Sequence, residues 1–192
     1  MKTARIPILI LSLMLAPLAA GEQGFGLAAE KTHQEKTAAP EQILFIDVRD
    51  PVEIQFTGFT DVVDLNIPFV LVDRYQWSAE RNHFVMARNL DFIALVDQAL
   101  KERELTRDAR IITMCRSGSA RGEPSAAYLR ENGFPNAYFV IHGFQGDTLD
   151  DGENAGMRLV NGWQNSGLPW SNKINGEKIF RPSPPGDSPD SK

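Results

Sequence analysis

Residues 43–48 read Ile-Leu-Phe-Ile-Asp-Val, a continuous apolar run with no alternation. A strand of this kind hides both of its faces, which is how strands behave inside parallel sheets covered by helices. Arg49-Asp50-Pro51 follows and stops the run, because proline removes a backbone donor. A weaker strand is predicted over Val62 to Ile67, ended by Pro68, and further strands over Arg110 to Met114 and Ala137 to Ile141. Between them lie helix-like segments. Asn89 to Lys101 carries Leu90, Ile93, Val96, Asp97 and Leu100 at helical spacing, a mostly apolar stripe. Pro124 suits a first helical turn, Ser125 to Asn132 continues it, and Gly133 is a good C-terminal cap. Alternating strands and helices predict an α/β domain with a mostly parallel sheet. Residues 69–88 are aromatic and read as irregular.

The chain has one cysteine. Cys115 closes the predicted strand 110–114 and opens the loop Arg116-Ser117-Gly118-Ser119-Ala120-Arg121-Gly122, ahead of a helix. Backbone N–H groups in such a loop, the helix N-terminus and two arginines all favour an anion there. The same field favours thiolate, which is the reactive form of the side chain.

At 192 residues the chain holds one domain. A formal charge of −5 argues against general nucleic-acid binding. Lys2 and Arg5, an apolar core from Ile8 to Leu15, and the small residues Ala16, Ala19, Ala20 and Gly21 read as an export signal over residues 1–21. The run is too short to span a membrane, so no membrane insertion is expected after processing, and the destination reads as periplasmic. In an exported chain a lone cysteine cannot staple the fold, and it becomes a candidate reactive thiol. Residues 22–40 are polar and Ala-rich and read as a linker or loose arm. The domain is predicted over 41–172, and 173–192 read as a disordered tail.

The order of several short blocks resembles rhodanese-like domains. Ile46-Asp47-Val48-Arg49-Asp50-Pro51 resembles their first block and Asn66-Ile67-Pro68 the block after the second strand. Cys115-Arg116-Ser117-Gly118 resembles the start of their active-site loop. Asn132-Gly133-Phe134 with Ala137-Tyr138 is similar to the helix end and next strand. Gly143-Phe144, Gly162-Trp163 and Gly167-Leu168-Pro169 resemble the closing segment. The resemblance implies a small parallel β-sheet flanked by helices on both faces. It also implies sulfur transfer, in which a Cys115 persulfide carries sulfane sulfur from a small anionic donor such as thiosulfate to a thiol or cyanide-like acceptor, or to a protein acceptor. The backbone from Arg116 through Ser117, Gly118, Ser119 and Ala120 to Arg121 would cradle the persulfide and an oxyanion, with Arg116 and Arg121 holding the donor.

The loop also departs from that family. Its common form, Cys-Arg-x-Gly-x-Arg, has the second arginine where this chain has Ala120, and here arginine comes one place later. Residues 144–161 read as an insertion. Cys115 to Arg121 equally fits C-x5-R, the phosphate loop of cysteine-dependent phosphatases and of some arsenate reductases on the same fold, with a thiolate nucleophile and an arginine clamp. Arg116 after the cysteine, Met114 before it and Gly122 after the arginine favour sulfur transfer. A non-catalytic persulfide carrier or binding module, docking through Trp77, Phe84 and the insertion, is the third reading.

Asp47 and Arg49 read as structural support near the loop, pairing with each other or with backbone. Arg74 and Arg81 read as solvated surface charge, and His142 as a surface histidine. No Cys/His cluster and no glycine-rich dinucleotide fingerprint is present, so neither metal nor organic cofactor is expected.

Overall fold

The computed structural model describes residues 24–182. The segment read as an export signal lies outside them. Five parallel strands form one sheet in the order β1-β7-β6-β2-β3, where β1 is Gly26–Leu27, β2 Ile43–Asp47, β3 Leu65–Asn66, β6 Arg110–Met114 and β7 Ala137–Val140. The apolar run from Ile43 forms β2, an interior strand between β6 and β3, every residue of it buried. Side chains alternate across the sheet. On one face, Leu44, Ile46 and Ile111 pack with Phe92, Val96 and Leu100 of helix α3 (Phe92–Glu102) and Leu129 of helix α4 (Gly122–Glu131). On the other, Ile43, Phe45, Ile112 and Met114 pack with Ile54 of helix α2 (Pro51–Thr57), Ala29 of helix α1 (Ala29–Ala38) and the fully buried Trp163. The α/β architecture, with helices on both faces, is as expected.

Three segments differ from the sequence reading. Residues 22–40 are not a loose arm over their described part. Gly26 and Leu27 extend the sheet beside β7, and α1 closes the second face. The signal was weak because α1 is polar all round; it is held by tertiary contacts that no local pattern reveals. Lys36 donates to the carbonyls of Pro40 and Ile43 and pairs with Asp64 at 2.8 Å.

Residues 69–88 are not irregular. Strands β4 (Val70–Ser78) and β5 (His83–Arg88) form an antiparallel hairpin outside the main sheet, with a register shift between Asp73 and Trp77. That shift breaks the period-2 pattern from which a strand is recognised. The segment 173–192 is tied down through residue 182: Ile174 and Ile179 pack against the second core, and Lys178 Nζ donates to the carbonyls of Asp61 and Val63. Residues 183–192 lie outside the described residues.

Helix α2 was also missed, although its signals are local. Asp50 caps it by accepting from the Val52 N–H at 2.8 Å, Pro51 follows as the first helical residue, and Glu53 stands in the first turn.

Candidate active site

Strand β6 ends at Met114, and Cys115 follows at the sheet's C-terminal edge, where open α/β sheets place their ligand sites. The loop 116–121 then turns into α4. Gly118 makes the turn possible. Its φ is +84°, and a Cβ there would lie 1.6 Å from the Ile141 carbonyl oxygen, so no other residue fits without moving the end of β7. The Gly118 N–H donates to Cys115 Sγ at 3.2 Å. Among the described residues, the N–H groups of Arg116, Ser117, Ser119, Ala120 and Arg121 donate to no protein acceptor. Those donors and the N-terminus of α4 supply a field suited to an anion.

The loop is fixed from both sides. The Phe144 N–H donates to the Cys115 carbonyl at 2.7 Å, and the Gln145 N–H to the Arg116 carbonyl at 2.9 Å. Gly143 takes a φ of +59°, and a Cβ there would lie 2.3 Å from the Cys115 carbonyl oxygen. Behind the loop, the hydroxyls of Thr113 and Ser125 both donate to the Gly122 carbonyl and set where α4 begins. Cys115 itself is fully buried.

Asp47 and Arg49 do pair, as the sequence reading had it. Both are wholly buried, and the guanidinium meets the carboxylate from Nε at 2.9 and 3.0 Å and from one terminal nitrogen at 2.5 Å. Arg49 also donates to Thr57 Oγ1 and the Gly58 carbonyl and lies over the Phe144 ring. Asn66 Nδ2 donates to the carbonyls of both Asp47 and Arg49 at 2.8 Å. These contacts lock the end of β2 to the C-terminal end of α2, to Asn66 of β3 and, over the Phe144 ring, to the segment that holds the loop. Support, rather than contact with substrate, is what this geometry provides.

Arg121 meets Glu53 of α2 in two parallel hydrogen bonds of 2.5 and 2.9 Å. Burial alone would lower its pKa, but the Glu53 carboxylate, and secondarily the Cys115 and Asp47 charges, hold the guanidinium above its ordinary range. Three of its five N–H donors remain for an anion. Arg116 instead turns to Gln145, Nε to Oε1 at 2.8 Å. Its pKa is lowered, first by burial and then by Arg158. The side chains of Ser117, Ser119 and Ala120 make no such bonds among the described residues, so the loop contributes there through its backbone.

The β4–β5 hairpin forms the wall opposite Arg121. A cavity of about 510 Å³ lies between Ala120 and Arg121 on one side and Arg81, His83, Val85 and Met86 on the other. Arg81, read as free surface charge, therefore faces the site. His142 does not: it is exposed and pairs with Asp147 at 3.0 Å. Glu53 was missed although Asp50-Pro51-Val52-Glu53 has the spacing of a helix-start signature. Nothing in the sequence marked Arg158.

A family model described as "Rhodanese-like domain" matches residues 29–148, from the first residue of α1 through β7 and into the segment that follows it. Among solved structures, the M. tuberculosis protein Rv0390 is similar at a TM-score of 0.55 and 25% identity, covering 77% of this chain and 96% of that one. A rhodanese-related protein from Thermoplasma volcanium aligns at a TM-score of 0.41 and 18% identity, over 78% of this chain and 100% of that one. No curated protein sequence matches.

Proposed function

This chain belongs to the rhodanese-like domain family, within the sulfurtransferase superfamily, and from that premise we propose that it moves sulfane sulfur through a persulfide on Cys115. The donor is a small sulfur oxyanion of the thiosulfate kind. The Cys115 thiolate attacks the outer sulfur, the S–S bond of the donor breaks, sulfite leaves with that electron pair, and a Cys–S–S⁻ persulfide remains. An acceptor nucleophile, a thiolate or cyanide, then attacks the outer persulfide sulfur and releases the Cys115 thiolate. Charge balances in both halves, and no further oxidant enters.

The observation that carries this reading is the hydrogen bond from Gly118 N–H to Sγ inside a loop whose other N–H groups have no protein acceptor among the described residues. A persulfide there would keep its terminal sulfur among backbone donors. The segment read as an export signal adds the expectation of a periplasmic enzyme, with a small thiol or a protein as acceptor and no nucleic acid.

The loop length favours the second reading in one respect. Arg121 stands immediately before α4, where a C-x5-R loop would have its clamp. Intact-protein mass spectrometry separates the two. Thiosulfate should add about 32 Da to the wild-type chain and nothing to Cys115→Ser, and cyanide should remove the adduct. A free thiol that takes up no sulfur overturns sulfur transfer and moves the assays to phosphate esters and arsenate.

A further inference from the structure

Cys115 is fully buried, and it lines neither cavity beside the loop, the one of about 510 Å³ under the hairpin or the one of about 360 Å³ beside Arg116. Its side chain belongs to the core cluster that holds Val48, Phe69 and Ala126. Over it the loop arches from Gly118, whose N–H meets Sγ at 3.2 Å, to Gly122, where a Cβ would lie 3.5 Å from Sγ. A thiol enclosed in this way meets no reagent, and a persulfide needs room for a second sulfur about 2 Å beyond the first. Any reaction of Cys115 therefore begins with a movement of the loop.

The two halves of the loop are held differently. The first half is clamped by backbone bonds. The Cys115 carbonyl accepts from Phe144 at 2.7 Å, and the Arg116 carbonyl accepts from Gln145 at 2.9 Å and from Gly146 at 3.2 Å. Gly118 is wedged against the Ile141 carbonyl. The second half, Ser119-Ala120-Arg121, has no such clamp. Ser119 and Ala120 make no hydrogen bond among the described residues. Beyond α4, Arg121 is bonded to the fold only through Glu53, at 2.5 and 2.9 Å. Glycines stand at both ends of this half, Gly118 and Gly122, where backbone rotation is least restricted. The cavity of about 510 Å³ lies directly beside it, lined by Ala120 and Arg121. The segment has space to move into and one ion pair that keeps it in place.

We propose that Glu53 latches the active-site loop: while it holds Arg121, residues 119–121 cover Sγ, and when Arg121 leaves it the segment swings into the cavity under the hairpin and uncovers the thiol. Glu53 is a positioning residue that acts through Arg121, and the opening is a local one within an otherwise intact fold. Between openings the thiolate is shut away from oxidants that would carry it to sulfenic and sulfinic acids. The latch governs access to the thiol and stands whatever group the thiol carries.

The test is alkylation of the full chain by iodoacetamide, a small neutral reagent, followed across pH. The plateau rate, reached where the thiol is fully ionised, reads access. The midpoint reads ionisation, which removal of a carboxylate also shifts. The wild-type plateau should lie at least about a hundredfold below that of the same chain unfolded in denaturant. Glu53→Gln should raise it about tenfold, the fold-change for losing a charge-assisted hydrogen bond, and Glu53→Asp should fall between the two. Lys36→Met, which loosens the fold at the opposite end of β2, should leave it unchanged. A wild-type plateau equal to that of the unfolded chain overturns the latch, as does a plateau unmoved by Glu53→Gln. Equal acceleration in Glu53→Gln and Lys36→Met overturns it too, because both would then act through global stability. If Glu53→Gln does not fold, the wild type decides. Its alkylation rate below the unfolding transition should depend on denaturant with a slope well under the equilibrium m value, and a slope equal to m overturns local opening. A Glu53-dependent plateau in a chain that never forms a persulfide would remove sulfur transfer and leave the latch standing.

Discussion

Arg121 and Glu53 join the last residue of the active loop to the first turn of α2 through two parallel hydrogen bonds of 2.5 and 2.9 Å. The carboxylate aims the guanidinium, and the pair is largely shielded from water. Arg121→Lys keeps the charge and loses the fork. The expected result is a donor KM raised about tenfold, with kcat changed far less. An unchanged KM in steady-state kinetics would remove Arg121 from donor binding.

Cys115→Ser should abolish persulfide formation while leaving the fold intact. Cys115 is buried, but oxygen replaces sulfur with little change in volume, and the Gly118 N–H keeps an acceptor. Its melting temperature is expected within roughly 2–4 °C of wild type. Sulfur transfer persisting in this variant would exclude Cys115 as the carrier.

Asp47→Asn leaves the Arg49 cation fully buried without its carboxylate. Breaking a buried pair from one side costs about 3–5 kcal/mol, because the remaining charge is uncompensated. Denaturant unfolding should show the loss as a lower midpoint at unchanged slope. A cost under about 1 kcal/mol would mean the pair is dispensable for the fold.

Gly118→Ala should fail at the loop before it fails at the core. The positive φ alone costs about 1–2 kcal/mol, and the methyl collides with the Ile141 carbonyl. Sulfur loading is expected to fall by more than about tenfold, with a lowered melting temperature because the methyl meets the backbone at the end of β7. Wild-type loading would show that the loop tolerates a different path.

Lys36 joins α1 to the sheet by pairing with Asp64, which also receives Arg103 at 3.1 Å. Lys36→Met should therefore cost only about 2 kcal/mol, less than an isolated buried pair. Burial lowers the Lys36 pKa from the ordinary 10.5 despite Asp64. The folded state releases that proton first, so the contribution of Lys36 to stability rises as pH climbs from its lowered pKa towards 10.5. Comparing wild type and Lys36→Met across that range should show this slope in the wild type alone.

The parts of the site that were legible in the chain are those set by local chemistry. Cys115 at a strand end, Gly118 where a positive φ is required, and Asp47 with Arg49 two residues away could be read in one dimension. Helix α2 is equally legible in Asp50-Pro51-Val52-Glu53, where the proline that stops the strand also starts the helix. The hairpin β4–β5 was hidden by its register shift, and α1 by a helix surface with no apolar stripe.

What the sequence by itself determined is the sheet and the place of its one thiol. A continuous apolar run such as Ile43 to Val48, alternating along the chain with helical segments, suits a strand covered on both faces in a parallel sheet, and the one thiol falls at such a sheet's edge. Tertiary structure alone decided which charges meet the loop. Glu53 lies 68 residues from Arg121 along the chain, and Arg158 approaches Arg116 only because Gly146 and Asn165 fold the inserted segment back. Charge pairing across such separations depends on distance in space, and ion pairs carry no periodicity that a chain could display in advance.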